Sequence, residues 1–312
     1  MITAFPALCP NLQDITLRRL PRDPMITAAV SGMFLASNRN TLRHFHVSSP
    51  LTEEAREVIH TLPDLRGLSV VIERDTPLPS LTLPNLTNLI VKYDYDSDWL
   101  RIFRGATFGK LEAVTFHSRS EQIGSFLEAF EKVALATSIQ NTLSKFQLHT
   151  SRSWNPNYLA LLPFTQLTHL VVRFSCDTGC SSTVDDDVVT SLAQTMPKLE
   201  TLHLGNYPCG EILAGATVKG LVALAHHCQN LSALRIHFQV ASLSAPPATG
   251  RAVPNAVSAA LQRDCALRVL EVGGIPVAEG SVSTVAVILA RIFPRIERVQ
   301  CADGNWDNVT IM

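Results

Sequence analysis

Histidine and cysteine are the residues of this chain best suited to chemistry. His226-His227-Cys228 sets two imidazoles beside a thiol, and Cys176-Asp177-Thr178-Gly179-Cys180 spaces two thiols by three residues. Both sets hold zinc-ligand types, but a zinc site needs four convergent donors at recognisable spacing. No second C-x2-C or H-x3-H run completes either set, so no metal is expected. Cys228 stands just before a strand-like run, as Cys9 does, and Cys301 fills an apolar place in another. Buried structural thiols are therefore the expectation. Asp94-x-Asp96-x-Asp98 begins like a calcium loop, yet Trp99 stands where that loop needs glycine and Gly105 where it needs glutamate. A solvated loop is expected there, with Trp99 and Phe103 packing back onto the body. Gly105 to Lys110 is one residue short of a phosphate-binding loop and runs into Leu111 instead of Ser or Thr. The glycosylation sequons at Asn85 and Asn230 coincide with strand entries and look incidental, and a third match lies at Asn308. The sequence contains no G-x-S-x-G, no H-E-x-x-H and no glycine-rich nucleotide fingerprint. No catalytic residue and no cofactor is expected, and the chain is not expected to be an enzyme.

The elements that would position these residues recur along the whole chain. Apolar residues at the first, fourth and sixth places of a short motif appear at Leu12/Ile15/Leu17, Leu42/Phe45/Val47, Leu65/Leu68/Val70, Leu86/Leu89/Val91 and Leu111/Val114/Phe116. They continue at Leu143/Phe146/Leu148, Leu167/Leu170/Val172, Leu199/Leu202/Leu204, Leu231/Leu234/Ile236, Leu267/Leu270/Val272 and Ile296/Val299/Cys301. The motif recurs at steps of 21 to 36 residues. L-x-x-L-x-L at such a period is the strand half of a leucine-rich repeat. Lead-ins such as Leu-Pro-Asp before Leu65 and Met-Pro-Lys before Leu199 end the preceding segment, because proline cannot continue a helix. Between strands, Thr52-Glu53-Glu54 and Asp185-Asp186-Asp187 place a cap and acids ahead of helical periodicity. Helices are also expected over 121–138, 217–228, 254–264 and 282–293, the last apolar nearly all round and so packed on both sides. Gln239 to Pro254 carries Ala-Pro-Pro-Ala-Thr-Gly and is expected to be a mobile loop. The fold class expected is α/β: a right-handed leucine-rich-repeat solenoid, or horseshoe, of about eleven irregular repeats. Its parallel sheet lines the concave face and its helices the convex face, and residues 1–312 form one domain.

The third, fifth and seventh places alternate with the buried ones and point to the concave face. They hold His44, His46, His117, His149, His169, His203 and His237, seven of the chain's ten histidines. They also hold Arg18, Lys92, Lys145, Arg173, Arg235 and Arg298 against only Asp14 and Glu271. The chain is neutral as a whole, with a net charge of -1, but this face is basic. Its densest part is Lys145, His149, His169, Arg173, His203, Arg235 and His237, which we expect to bind a partner. A basic face on parallel strands suits an acidic or phosphorylated protein segment, since arginine forks onto carboxylate or phosphate.

Bulk properties exclude several classes. The near-neutral charge argues against nucleic acid as a partner, which calls for clustered Lys and Arg. No run of about 18 apolar residues is present, so no membrane partner is expected. Pro6 and Pro10 interrupt a short mixed start, so no secretory leader is expected. Seven widely spaced cysteines are not a disulfide framework. An intracellular location, cytoplasmic or nuclear, follows.

The run Ala225-His-His-Cys-Gln-Asn-Leu231 with L-x-x-L-x-I behind it resembles the cysteine-containing repeats of F-box proteins. Cys9-Pro-Asn-Leu12 and Met196-Pro-Lys-Leu199-Glu-Thr-Leu-His-Leu204 look like the same repeat in fungal members. The resemblance spans essentially the whole chain. It implies a protein-interaction module, the substrate-recognition domain of an F-box-type ubiquitin ligase component, holding a protein substrate on the concave face. The first repeat opens at Leu12, leaving no room for the F-box itself. A ligase adaptor is therefore expected as a partner only if an F-box lies upstream. The alternative is a leucine-rich regulator or inhibitor scaffold not coupled to a ubiquitin ligase.

Overall fold

A computed structural model describes residues 9, 11–17, 32–51, 53–72, 82–93, 103, 106–118, 125–151, 156–174, 184–205, 215–236, 238, 265–272 and 282–301. Within these residues the fold is α/β, and its strands are parallel. The chain forms two compact units, Met1–Ile123 with Ala129–Ser144, and Gly124–Glu128 with Lys145–Met312. Among the described residues no helix is long and apolar enough to cross a membrane.

The first unit holds β1 (Asp14–Leu17), β2 (His44–Pro50), β3 (Gly67–Ile72), β4 (Asn88–Tyr93) and β5 (Ala113–Ser118). They pair in chain order, every pair parallel. Parallel neighbours cannot be joined by a tight hairpin and need a crossover of a dozen or more residues. The connections here carry helical residues 32–37 and α1 (Glu53–Ile59). Most of α2 (Phe126–Thr137) also belongs to this unit. Equal motif places pair with equal places, as in Gly67↔Asn88 through Ile72↔Tyr93. Between β2 and β3 the register shifts between His46 and Pro50, and proline has no N–H to offer a ladder there. Phe103 packs on Phe108, Phe116 and Phe130 at centroid distances of 5.7, 6.1 and 5.9 Å. That is the inward packing expected of Phe103; Trp99 lies outside the described residues.

The second unit holds β6 (Lys145–Thr150), β7 (His169–Phe174), β8 (Thr201–Leu204), β9 (Ala233–Ile236), β10 (Val269–Val272) and β11 (Arg298–Cys301). They too are parallel and in chain order. The helices are α3 (Asp186–Thr195), α4 (Val218–His227) and α5 (Val282–Ile292). The expected helix over 254–264 and the loop from Gln239 to Pro254 lie outside the described residues. On α5, Val285, Leu289 and Ile292 are buried while Val287 is 53% exposed. The helix is thus packed along one stripe, not on both sides as its composition suggested.

The first, fourth and sixth motif residues are buried in both units, Leu12 and Leu17 being half-buried. The side chains of Val272 and Cys301 lie outside the described set. The six-residue strands β3 to β7 bury an eighth place as well, at Ile72, Tyr93, Ser118, Thr150 and Phe174. Backbone geometry repeats with the motif. In most motifs within each unit the carbonyl at the second place accepts two N–H groups from the next repeat, which anchors that strand entry to the one before. Gln13 accepts from Arg43 and His44 at 2.7 and 2.9 Å, and Glu200 from Ser232 and Ala233 at 2.8 and 3.1 Å.

A repeated joint feeds the strands of the second unit from their helices. Met196, Cys228 and Phe293 each lie three residues before a motif. Each donates its N–H to the carbonyl of Leu192, Leu224 or Leu289, in every case at 2.8 Å. Their own carbonyls accept from Leu199, Leu231 and Ile296 at 3.2, 3.1 and 3.1 Å. Cys228 is fully buried, and its thiol points at the carbonyls of Ala193 and Met196, at 3.7 and 3.6 Å. Burial and then the neighbouring Cys265 push that thiol up to about 12, so it stays protonated and serves as a small core donor.

Two adjacent aspartates divide the capping work. Asp185 caps α3 in the ordinary way, accepting from Val188 N at 2.9 Å. Asp186 instead reaches the next repeat, where its carboxylate accepts from Thr217 N (2.7 Å), Thr217 Oγ1 (2.6 Å) and Gly220 N (2.9 Å) at the start of α4. A Cβ on Gly220 would stand 2.8 Å from that carboxylate, so the glycine keeps the approach open. We predict that Asp186→Ala lowers unfolding free energy by about 1–3 kcal/mol, because three donors at a helix start lose a charged acceptor. Asp187→Ala, on an exposed neighbour, should change it by under about 0.5 kcal/mol. Urea unfolding of the two variants checks the difference. Leu202→Ala, in the core, should cost about 2–5 kcal/mol by the same measurement.

Candidate functional site

Six of the seven expected partner-binding residues are described, all in the second unit, and the strand register decides which of them meet. Lys145 pairs with His169, and His149 with Arg173, across β6 and β7. Val171 pairs with His203 across β7 and β8, and His203 with Arg235 across β8 and β9. Arg235 in turn pairs with Glu271 across β9 and β10. The basic residues thus form adjoining rows on the face opposite the buried motif places. His237 lies outside the described residues.

The centre of the group is Arg173. Its Nη2 lies 2.8 Å from His203 Nδ1. A guanidinium only donates, so Nδ1 accepts and the imidazole proton sits on Nε2. His203 is therefore neutral. Burial, then the charges of Arg173, Arg235 and His169, hold its pKa down to about 4. His169 is lowered as well, by burial and then Lys145, with Glu200 opposing, and its Nδ1 lies 2.8 Å from Thr168 Oγ1. Arg173 is half-buried, and its Nε has no hydrogen-bond partner. Arg235 Nη1 meets Glu271 Oε2 at 3.3 Å, with the two side chains 18% and 30% exposed. Lys145 stands exposed at the edge.

Two features separate this site from the one the sequence implied. The histidines at its centre supply hydrogen bonds more than charge, because each is half-buried beside a fixed cation. Glu271, which the alternation placed on the same face, belongs to the group as the partner of Arg235. Parity along one strand says which face a residue takes; only register says which residue stands beside it. Gly205 follows Leu204 with φ 95°, a left-handed conformation suited to glycine, and puts no side chain in the row beyond His203.

In the first unit, His44 Nδ1 hydrogen-bonds the Asp14 carboxylate, and both side chains are exposed. His117 is lowered by burial and then by Lys92, its register neighbour. Among the described residues no group of three or more His, Cys, Asp or Glu is placed to hold a metal ion. No protein-family model matches the chain, and no curated protein matches it.

His203 carries a pH signature. Its folded pKa of about 4 lies below the ordinary 6.5, so between those values the unfolded chain binds a proton that the folded chain refuses. Stability contributed by the neutral ring is present above pH 6.5, falls as pH drops through that window, and levels off below pH 4. The loss should amount to roughly 2–3 kcal/mol. His203→Gln, which keeps an acceptor for Arg173, should lessen the slope by that share when denaturant unfolding is followed from pH 7 to pH 4, the lowered His169 and His117 keeping theirs.

Proposed function

We propose that the chain is a protein-interaction module of the leucine-rich-repeat type. Its outward face from β6 to β9 holds an acidic segment of a partner protein. The observation that carries this is the register itself: Lys145, His169, Arg173, His203 and Arg235 come from four separate repeats and end side by side. Guanidinium groups that are only partly hydrated, as Arg173 and Arg235 are, bind carboxylate or phosphate more firmly than fully exposed ones. A row of parallel strands also suits an extended peptide, which can lie across successive repeats and meet one side chain from each.

The repeat-level resemblance to fungal F-box proteins supports a finer version, in which the bound partner is a substrate presented for ubiquitin transfer. In that version the adaptor is engaged by an F-box preceding the repeats. Cys228 and the Met196 joint, each buried immediately ahead of a strand, are the features of this chain most like that repeat.

Affinity capture with the intact chain, followed by mass spectrometry, tests the proposal. It should recover a protein with an acidic segment. Arg173→Glu combined with Arg235→Gln should reduce recovery at least about 10-fold, a change worth about 1.4 kcal/mol, while the melting curve stays cooperative. Raising salt from about 0.05 to 0.5 M should weaken capture of the wild-type chain, because the Debye length shrinks below the strand spacing. Equal recovery by wild type and the double variant would remove this face from consideration.

A further inference from the structure

Arg173 and Arg235 differ in what they have left to offer. Arg235 is held by Glu271 at 3.3 Å, and neither side chain is more than one-third exposed. Among the described residues no carboxylate lies within ion-pair distance of Arg173. Its Nη2 rests on a neutral imidazole, and Glu271 acts on it only from beyond contact distance. Glu271 is a neighbour by backbone register, since Arg235↔Glu271 is a ladder pair in β9 and β10. A displaced Glu271 side chain therefore stays rooted on the strand beside Arg235.

We propose that Glu271 determines the anion specificity of this face: by holding Arg235 it leaves Arg173 as the anchoring cation of the row. It thereby limits the bound group to a single carboxylate, the side chain of an Asp or Glu in an extended partner segment. This inference rests on the binding face proposed above.

Charge counting along the row gives the reason. Arg173 and Arg235 supply two positive charges, Glu271 one negative charge, and His203 none, because its Nδ1 accepts from Arg173. One carboxylate restores neutrality. A phosphoryl monoester carries about -1.5 to -2 at neutral pH and brings surplus negative charge toward Glu271 in a partly desolvated setting. Drawing Arg235 away to balance that surplus would strand the Glu271 carboxylate, half-buried, without its partner. Lys145 does not correct the count, since it stands exposed at the far edge, where solvent and salt screen it. His169, between Lys145 and this row, bonds Thr168 Oγ1. Glu271 is in direct contact with Arg235 of this face.

The test uses the intact chain and three glycine–serine nonapeptides with a central glutamate, phosphoserine or glutamine. Titrations into the millimolar range are followed by the His203 ring resonances. In the wild-type protein the glutamate peptide should bind at least about 5-fold more tightly than the phosphoserine peptide, and the glutamine peptide should leave His203 unmoved. Glu271→Gln keeps a hydrogen-bonding group beside Arg235 and removes the charge. It should tighten the phosphoserine peptide about 10-fold and the glutamate peptide less than about 3-fold, reversing the order. Phosphoserine binding as tightly as glutamate to the wild type, or an unchanged ratio in Glu271→Gln, overturns the assignment of Glu271. Absence of binding by both anionic peptides to both proteins overturns the anion-binding face itself, and the inference with it. Coincident melting curves of the two proteins exclude unfolding as the cause of any change.

Discussion

In most motifs within each unit the carbonyl at the second place accepts two N–H groups from the following repeat, and much else in the structure depends on that bond pair. It pins the entry of each strand to the entry of its neighbour, at Gln13 to Arg43 and His44 as at Glu200 to Ser232 and Ala233. Once the entries are aligned, parallel pairing carries the alignment along the strand, and equal motif places come to lie side by side. A slip of one residue would turn every buried leucine outward, so the buried places and the ladder enforce the same register. Outward residues far apart in sequence become neighbours as a by-product. Arg173, His203 and Arg235 are brought together by the backbone, with no need for attraction among themselves.

That origin explains the electrostatics. A row assembled by register can contain like charges, and here two guanidinium groups flank an imidazole. The group responds in the least costly way: His203 stays neutral and accepts from Arg173, while Arg235 is balanced by Glu271 from the next strand. Partial burial makes both adjustments matter, since the same charges in bulk water would scarcely influence one another. The row is therefore less positive than its composition suggests.

Successive helices are tied by a similar economy. The thiol of Cys228 points back at carbonyls ending the previous helix, and Asp186 reaches forward to the N–H groups that start the next one. Each helix end leaves backbone groups without intrahelical partners. A repeat architecture can satisfy them from adjoining turns of chain instead of from local caps alone. Asp185 and Asp186 look alike in sequence, and the difference between their roles is one of direction: one turns back on its own helix, the other reaches across to the next.

The amino-acid sequence by itself determined the alternating strands and their buried places. A period-two pattern repeated at Leu, Val and Phe positions admits no other way to bury those side chains at once. It also determined which face Lys145, His169, Arg173, His203 and Arg235 occupy, because parity within a strand is a local property. At the eighth buried place Ser118 and Thr150 were not legible, since polar side chains carry no apolar signal. One-sided packing of α5 was hidden for the opposite reason: Val287 is apolar yet exposed. Only the tertiary structure decided that His203 is neutral, that Arg235 is held by Glu271, and that Asp186 serves α4. Each of these depends on a distance between residues some thirty positions apart in the chain, and such distances are set by the register between strands, which no pattern within one strand encodes.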